Sequence, residues 1–259
     1  MLKKNVIRVP EGCPTMNQAM DLAVVFSERN ECTRENPVKV EMGEGQHVMV
    51  GVDTDYGSVN THVTCNNITI VGKGKGKTTI LGGFYVNGKQ NVKMEQLAVT
   101  NDAGNGLLCV GSGTNVDVTE CCFKKCRDYG MFVGDGATVT ATRCDFMENA
   151  YYGVVCYGAN TKVRLNDSTM HHNGIAGVLA ADHAVVDLHG TKTGIHSNKE
   201  YGIIAAKNGK VNIHLPSQHN TTHDNGQEDL VQDTGGSIAN INADGTFTHV
   251  EEVDLNVHG

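Results

Sequence analysis

Four short stretches decide the fold: Asn115-Val116-Asp117-Val118-Thr119, Thr138-Val139-Thr140-Ala141-Thr142, Lys162-Val163-Arg164-Leu165-Asn166 and Val185-Val186-Asp187-Leu188-His189. Each alternates apolar and polar side chains with a period of two, the pattern of a strand with one buried face. Their apolar pairs belong to a longer series: Val92/Met94, Val116/Val118, Val139/Ala141, Val163/Leu165, Val186/Leu188 and Val211/Ile213. First members of successive pairs are 24, 23, 24, 23 and 25 residues apart. Later in each interval a glycine opens a second apolar stretch: Gly106-Leu107-Leu108-Cys109, Gly130-Met131-Phe132-Val133, Gly153-Val154-Val155-Cys156, Gly177-Val178-Leu179-Ala180 and Gly202-Ile203-Ile204-Ala205. Between the two lies a turn column, Asp102, Cys126, Asn149, Asn173, Asn198 and Asn225. Stacked amides there can hydrogen-bond along a ladder, and asparagine tolerates a left-handed backbone. Strands recurring about every 23 residues with no helix between them cannot build an α/β barrel. Successive coils paired at about 4.8 Å build a solenoid.

The N-terminal part reads differently. A strand, Val6-Ile7-Arg8-Val9-Pro10, precedes a helix in which Thr15 is the N-cap and Gln18 completes a capping box. Met16, Ala19, Met20, Ala23 and Val24 form its apolar face. Such a helix would shield the open end of a solenoid, where unpaired strand edges invite aggregation. The acidic Glu251-Glu252-Val253-Asp254 is expected to protect the other end.

With the coil repeat, the capping helix and Val38-Lys39-Val40-Glu41-Met42-Gly43-Glu44-Gly45 as a first coil, the chain resembles the pectin-lyase-like superfamily. The resemblance implies an all-β fold, a single-stranded right-handed parallel β-helix with an N-terminal capping α-helix. The whole of 1–259 is then one domain: 1–45 for strand, helix and first coil, 46–236 for repeat coils, 237–259 for a C-terminal cap.

Composition narrows the function classes. A net charge of −8 with 21 scattered Lys and Arg gives no concentrated basic face, so no nucleic-acid partner is expected. No run approaches the roughly 18 apolar residues of a membrane span, and Met1 to Arg8 lacks the apolar core of a secretory signal, so a cytoplasmic location is expected. Nine cysteines, an odd number in mostly apolar positions, read as reduced core thiols. The competing readings are a Cys121–Cys144 disulfide one coil apart and a metal site, which would need four convergent ligands. No metal and no cofactor are expected. The run Gly72-Lys73-Gly74-Lys75-Gly76-Lys77-Thr78-Thr79 fails as a phosphate loop, because Val71 stands where its first glycine belongs and strand follows it. It reads as a turn.

Two surfaces remain as candidates. Arg164, Asn166, Asp187, His189, Asn212 and His214 fall on outward positions of neighbouring coils and form one polar patch. On such a face the pectin-lyase-like enzymes bind polyuronates, so the resemblance implies an acidic glycan there; a plain solvated strand face is the competing reading. Leu108, Phe132, Val155, Leu179, Ile204 and Val231 form a second apolar column that the core cannot also hold. Either a segment of the same chain covers it, or it is a face for a protein partner or for a homo-oligomer. The superfamily's lyase, polygalacturonase and epimerase signatures are absent, and the outward column Thr119, Thr142, Asn166, His189, His214 abandons the Thr ladder an ice-binding face needs. The expected function is therefore a non-enzymatic binding scaffold, like the repeat modules of certain F-box proteins and of periplasmic copper-site maturation proteins. The alternative is a lyase, hydrolase or epimerase acting on an acidic glycan.

Overall fold

A computed structural model describes residues 5–29, 32–49, 52–54, 57–59, 61–214 and 222–249, with backbone alone at 52–54, 57–59 and 249. The acidic run 251–254 lies outside the described residues. The alternating stretches become strands that pair in parallel with their counterparts one coil on. The core column Val92, Val116, Val139, Val163, Val186, Val211 and Ile238 is in register throughout and fully buried or nearly so. About seven turns stack in this way, and the alternation of the sequence is the alternation of inside and outside.

Each coil carries three strands where the sequence showed two. Sheet 1 has eleven strands, from Val6–Val9 to Phe247–His249; sheet 2 has eight, from Gly45–Val48 to Thr222–His223; sheet 3 has eight, from Thr61–His62 to Glu228–Asp233. Apart from Thr78–Leu81, which the sequence showed as strand after the lysine run, the strands of sheet 2 were missed in sequence, such as Cys122–Lys124, Asp145–Met147 and Thr169–His171. Each places a single large side chain in the core, successively Ile80, Val99, Phe123, Phe146, Met170 and Ile195. Phe123 and Phe146 stack with ring centroids 5.3 Å apart.

The turn after sheet 2 holds the asparagine ladder. Asn149 Nδ2 donates to Asn173 Oδ1 at 3.0 Å, Asn173 to Asn198 at 2.9 Å, and Asn198 to Asn225 at 2.9 Å. The same amides donate to the carbonyls of Phe123, Phe146 and Met170, and each Oδ1 accepts a backbone N–H from the coil before it. Two expectations are corrected here. The ladder position in the early coil is buried Asn101, not exposed Asp102; Arg127 N–H bonds to the Asn101 carbonyl just as Ala150 N–H bonds to that of Cys126. The left-handed residue is the one before each ladder position, Lys125, Glu148, His172, Ser197 and Asp224, each with φ between 53° and 56°. The ladder asparagines need their backbone N–H groups aimed up the stack, and the preceding residue makes the turn.

The glycine that opens each strand of sheet 3 is required by close approach. A Cβ on Gly106, Gly130 or Gly153 would lie 2.7 Å from the carbonyl oxygen of the equivalent glycine in the next coil. The Gly72–Thr79 run is a turn stapled by its own chain: Thr78 Oγ1 accepts from Lys73 N–H and donates to the Gly43 carbonyl, Lys77 pairs with Glu44 and Lys75 with Asp145. Two of its three lysines are thus already neutralised.

The helix, Met16–Arg29, starts where Thr15 Oγ1 accepts the Gln18 N–H, and buries Met16, Ala19, Met20 and Ala23; Val24, expected among them, is only half-buried. It packs on Val6–Val9 and Val38–Met42, the first strands of sheet 1. At the other end Phe247–His249 pairs antiparallel with Ser237–Ile241 and covers the last strand of that sheet. All nine cysteines are free thiols.

Candidate functional site

Three consecutive strands of sheet 1 build the polar patch: Lys162–Asn166, Val185–His189 and Lys210–His214. Their inward residues, Val163, Leu165, Val186, Leu188, Val211 and Ile213, sit in the core, so the alternating residues between them must face out. Arg164, Asp187 and Asn212 share one outward column, and Asn166 and His189 the next. His189 and His214 extend that second column, their rings stacked with centroids 3.9 Å apart and planes 16° from parallel.

Asp187 is the hub. Its Oδ1 accepts from Asn212 Nδ2 at 2.9 Å and lies 3.0 Å from His214 Nε2, which donates to it. Asp187 and His214 are each about three-quarters covered at the side chain, at 26% and 30% exposure. His189 Nε2 is enclosed and has no hydrogen-bond partner. Partial burial, then the neighbouring His214 and Arg164 charges, push the His189 pKa down, with Asp187 opposing them, so this imidazole stays neutral at neutral pH. Asn166 stands slightly apart, donating to Thr142 Oγ1 at 3.3 Å. The structure thus joins Asp187, His189, Asn212 and His214 by direct contact, with Arg164 beside Asp187.

The apolar column of sheet 3 is continuous through Tyr85, Leu108, Phe132, Val155, Leu179, Ile204 and Val231. It faces away from the main core, yet Leu108, Val155 and Val231 are buried, and Phe132, Leu179 and Ile204 are half-buried. Tyr85 and Phe132 pack on Leu108 and Val110 as a small second core, and Tyr129 stacks on Phe132. Neighbouring side chains therefore shield much of the stripe.

Sequence reasoning missed a second histidine group, on sheet 2. His171, His196 and His223 fall in one outward register, stacked at 5.1 and 5.2 Å and within 12° of parallel. His172, on its left-handed turn, brings Nδ1 to 2.7 Å from His171 Nδ1. The signal was the motif Met170-His171, Ile195-His196, Thr222-His223, legible only once the strands of sheet 2 are known.

A cavity of about 320 Å³ lies elsewhere, lined by Val6, Ile7, Arg8, Glu11, Leu22 and Phe26 at the helix-capped end. Among the described residues no helix is long and apolar enough to cross a membrane.

Among solved structures the chain is similar to the A-module of the mannuronan C-5 epimerase AlgE6 of Azotobacter vinelandii, with 13% identity, a TM-score of 0.48, and coverage of 83% of this chain and 74% of that one. It is also similar to ORF18 of Geobacillus virus E2, with 11% identity, a TM-score of 0.40, and coverage of 93% of this chain and 62% of that one. No curated protein matches the sequence. Residues 51–225 match the family described as the right handed beta helix region, and the chain belongs to that family.

Proposed function

We propose that the chain is a binding module for an extended acidic glycan, held along the outward face of sheet 1 from Lys162–Asn166 to Lys210–His214. One observation carries the reading: Lys162, Arg164 and Lys210 stand exposed on that face with no ion pair among the described residues. In a chain of net charge −8, three unneutralised cations on one face favour a carboxylate-bearing ligand. Arg164 can take a carboxylate through two parallel N–H donors, while Lys162 and Lys210 act as point charges. Lys162 and Lys210 are two coils apart, so carboxylates spaced by about 10 Å along a polymer can be met together. Asn166, Asp187, His189, Asn212 and His214 supply the mixed donors and acceptors that sugar hydroxyls need. An open strand face suits a long ligand better than a small one, which would want an enclosing pocket.

The experiment is a calorimetric titration with oligouronates and with neutral oligosaccharides of the same length, each at low and high salt. Binding to the acidic series alone, weakened by salt and lost in Arg164→Glu/Lys210→Glu, is the expected result. Equal binding of neutral oligosaccharides, or an unchanged affinity in the double variant, would refute it.

A second reading, an enzyme acting on the same polymer, is favoured by the Asp187–His214 pair beside a neutral His189, which are groups fit for acid–base work. It predicts unsaturated uronates, new reducing ends or a change of uronate configuration on incubation, abolished by His189→Ala.

A further inference from the structure

The same coils carry a property that does not depend on the glycan reading. We propose that Asp187, His189 and His214 together bind one divalent transition-metal ion of the zinc class. A carboxylate oxygen and one nitrogen from each imidazole lie within 4.8 Å of one another. A tetrahedral ion with bonds of about 2.0–2.2 Å wants its donors roughly 3.3 Å apart. Asp187 Oδ1 and His214 Nε2 are already at 3.0 Å, so the remaining adjustment falls on the His189 side chain.

Several features set this cluster apart from a solvated strand face. The three donors arrive from two adjacent strands, Asp187 and His189 from one and His214 from the next, whose backbones are fixed by parallel pairing on both sides, so only side-chain reorientation is left for the ion to impose. The two imidazoles are stacked face to face, at 3.9 Å between centroids, so their in-plane lone pairs run side by side and an ion takes both only when the His189 ring turns out of the stack. The enclosed His189 Nε2 has no hydrogen-bond partner to lose in that turn, and a ligand bond would relieve the cost of leaving it unpaired. Asn212 Nδ2 holds Asp187 Oδ1 at 2.9 Å, as outer-shell groups hold metal-binding carboxylates. Two nitrogens and one oxygen select zinc, cobalt, nickel or copper over magnesium and calcium, which prefer oxygen throughout. Three protein ligands leave one coordination position open, and the partial exposure of Asp187 and His214 places that position toward solvent. Arg164, beside Asp187, opposes the ion and would weaken it, so Arg164→Gln is expected to raise the affinity.

The histidines of sheet 2 are the internal control. His171, His196 and His223 stack more than 5 Å apart and could gather metal adventitiously. Untagged, full-length protein would be stripped with chelator, equilibrated with Zn2+ or Co2+, and its bound metal measured by mass spectrometry beside the cobalt absorption spectrum. One ion per chain is expected, with a cobalt spectrum of low-coordinate type. The ion should persist in His196→Ala/His223→Ala, be lost in His189→Ala, and bind about 10-fold more weakly in Asn212→Ala. Should His189→Ala fail to fold, Asp187→Asn and His214→Gln carry the same test at partly exposed positions. No uptake by the wild-type chain, or uptake that survives His189→Ala and Asp187→Asn but vanishes in His196→Ala/His223→Ala, overturns the proposal. Because no saccharide is present, the result is independent of glycan binding.

Discussion

Asn173 shows what a single residue does in this solenoid. Its Oδ1 accepts from both the backbone and the side chain of Asn149, and its Nδ2 donates to Phe146 and Asn198, all away from solvent. Asn173→Ala would leave several buried polar groups without partners and is expected to cost about 2–4 kcal/mol, measured as a shift of the urea midpoint at unchanged slope. The same substitution at Cys126, where the ladder position is already apolar, should cost much less. The ladder asparagines were legible because their chemistry repeats. The left-handed position before them was not: Lys125, Glu148, His172, Ser197 and Asp224 share no chemistry, and what they share is a φ imposed by the turn.

Among the elements, the strands of sheet 1 were plain in the sequence and most of those of sheet 2 were hidden. A five-residue strand shows two inward residues and a visible alternation. Strands of three, such as Asp145–Met147, show one inward residue and no period to read. With sheet 2 unread, its histidine column was unread too, although the histidines of sheet 1 could be placed by counting. Both columns have a consequence for pH. Partial burial, followed by neighbouring histidines, lowers the pKa of His171, His189 and His196. Asp145 and Glu148 oppose this at His171, Asp187 at His189 and Asp224 at His196. For a histidine with a depressed folded pKa, the unfolded chain takes up protons first as pH falls. Stability is therefore expected to drop on acidification from about 6.5, the unperturbed value, down to the folded pKa values. Thermal melts between neutral and mildly acidic pH measure the slope, which His196→Gln should reduce. An unchanged slope in that variant would remove the column as its source. The carboxylates with lowered pKa, such as Glu41, titrate further down and do not confuse this window.

At the scale of the molecule, the question is how a stack of coils ends. The helix closes one end with fully buried Ala19 and Ala23, and the strand Phe247–His249 covers sheet 1 at the other. Ala23→Asp would put an unpaired charge into that seal, and an expected loss of about 3–5 kcal/mol should appear as a lower melting temperature and association on size exclusion. The thiols test the interior. Burial pushes Cys126, Cys144 and Cys156 up to about 12 and Cys122 up to about 11. A disulfide-exchange reagent at neutral pH should therefore modify these cysteines at the rate of unfolding and not before. Fast modification of Cys144 in the native chain would show that the coil interior opens more readily than its packing implies.

By itself the sequence determined the parallel coil, its spacing, the inward columns, the helix at the entrance and which polar residues of sheet 1 face outward. These follow from alternation and repetition, which depend only on neighbours along the chain and on a fixed period. The tertiary structure alone decided the third strand of each coil, the partners of Asp187, the stacking of His189 on His214 and the shielding of the apolar column. Those depend on where each coil turns, and coils of 23 to 27 residues shift that register in ways that short turn sequences do not encode.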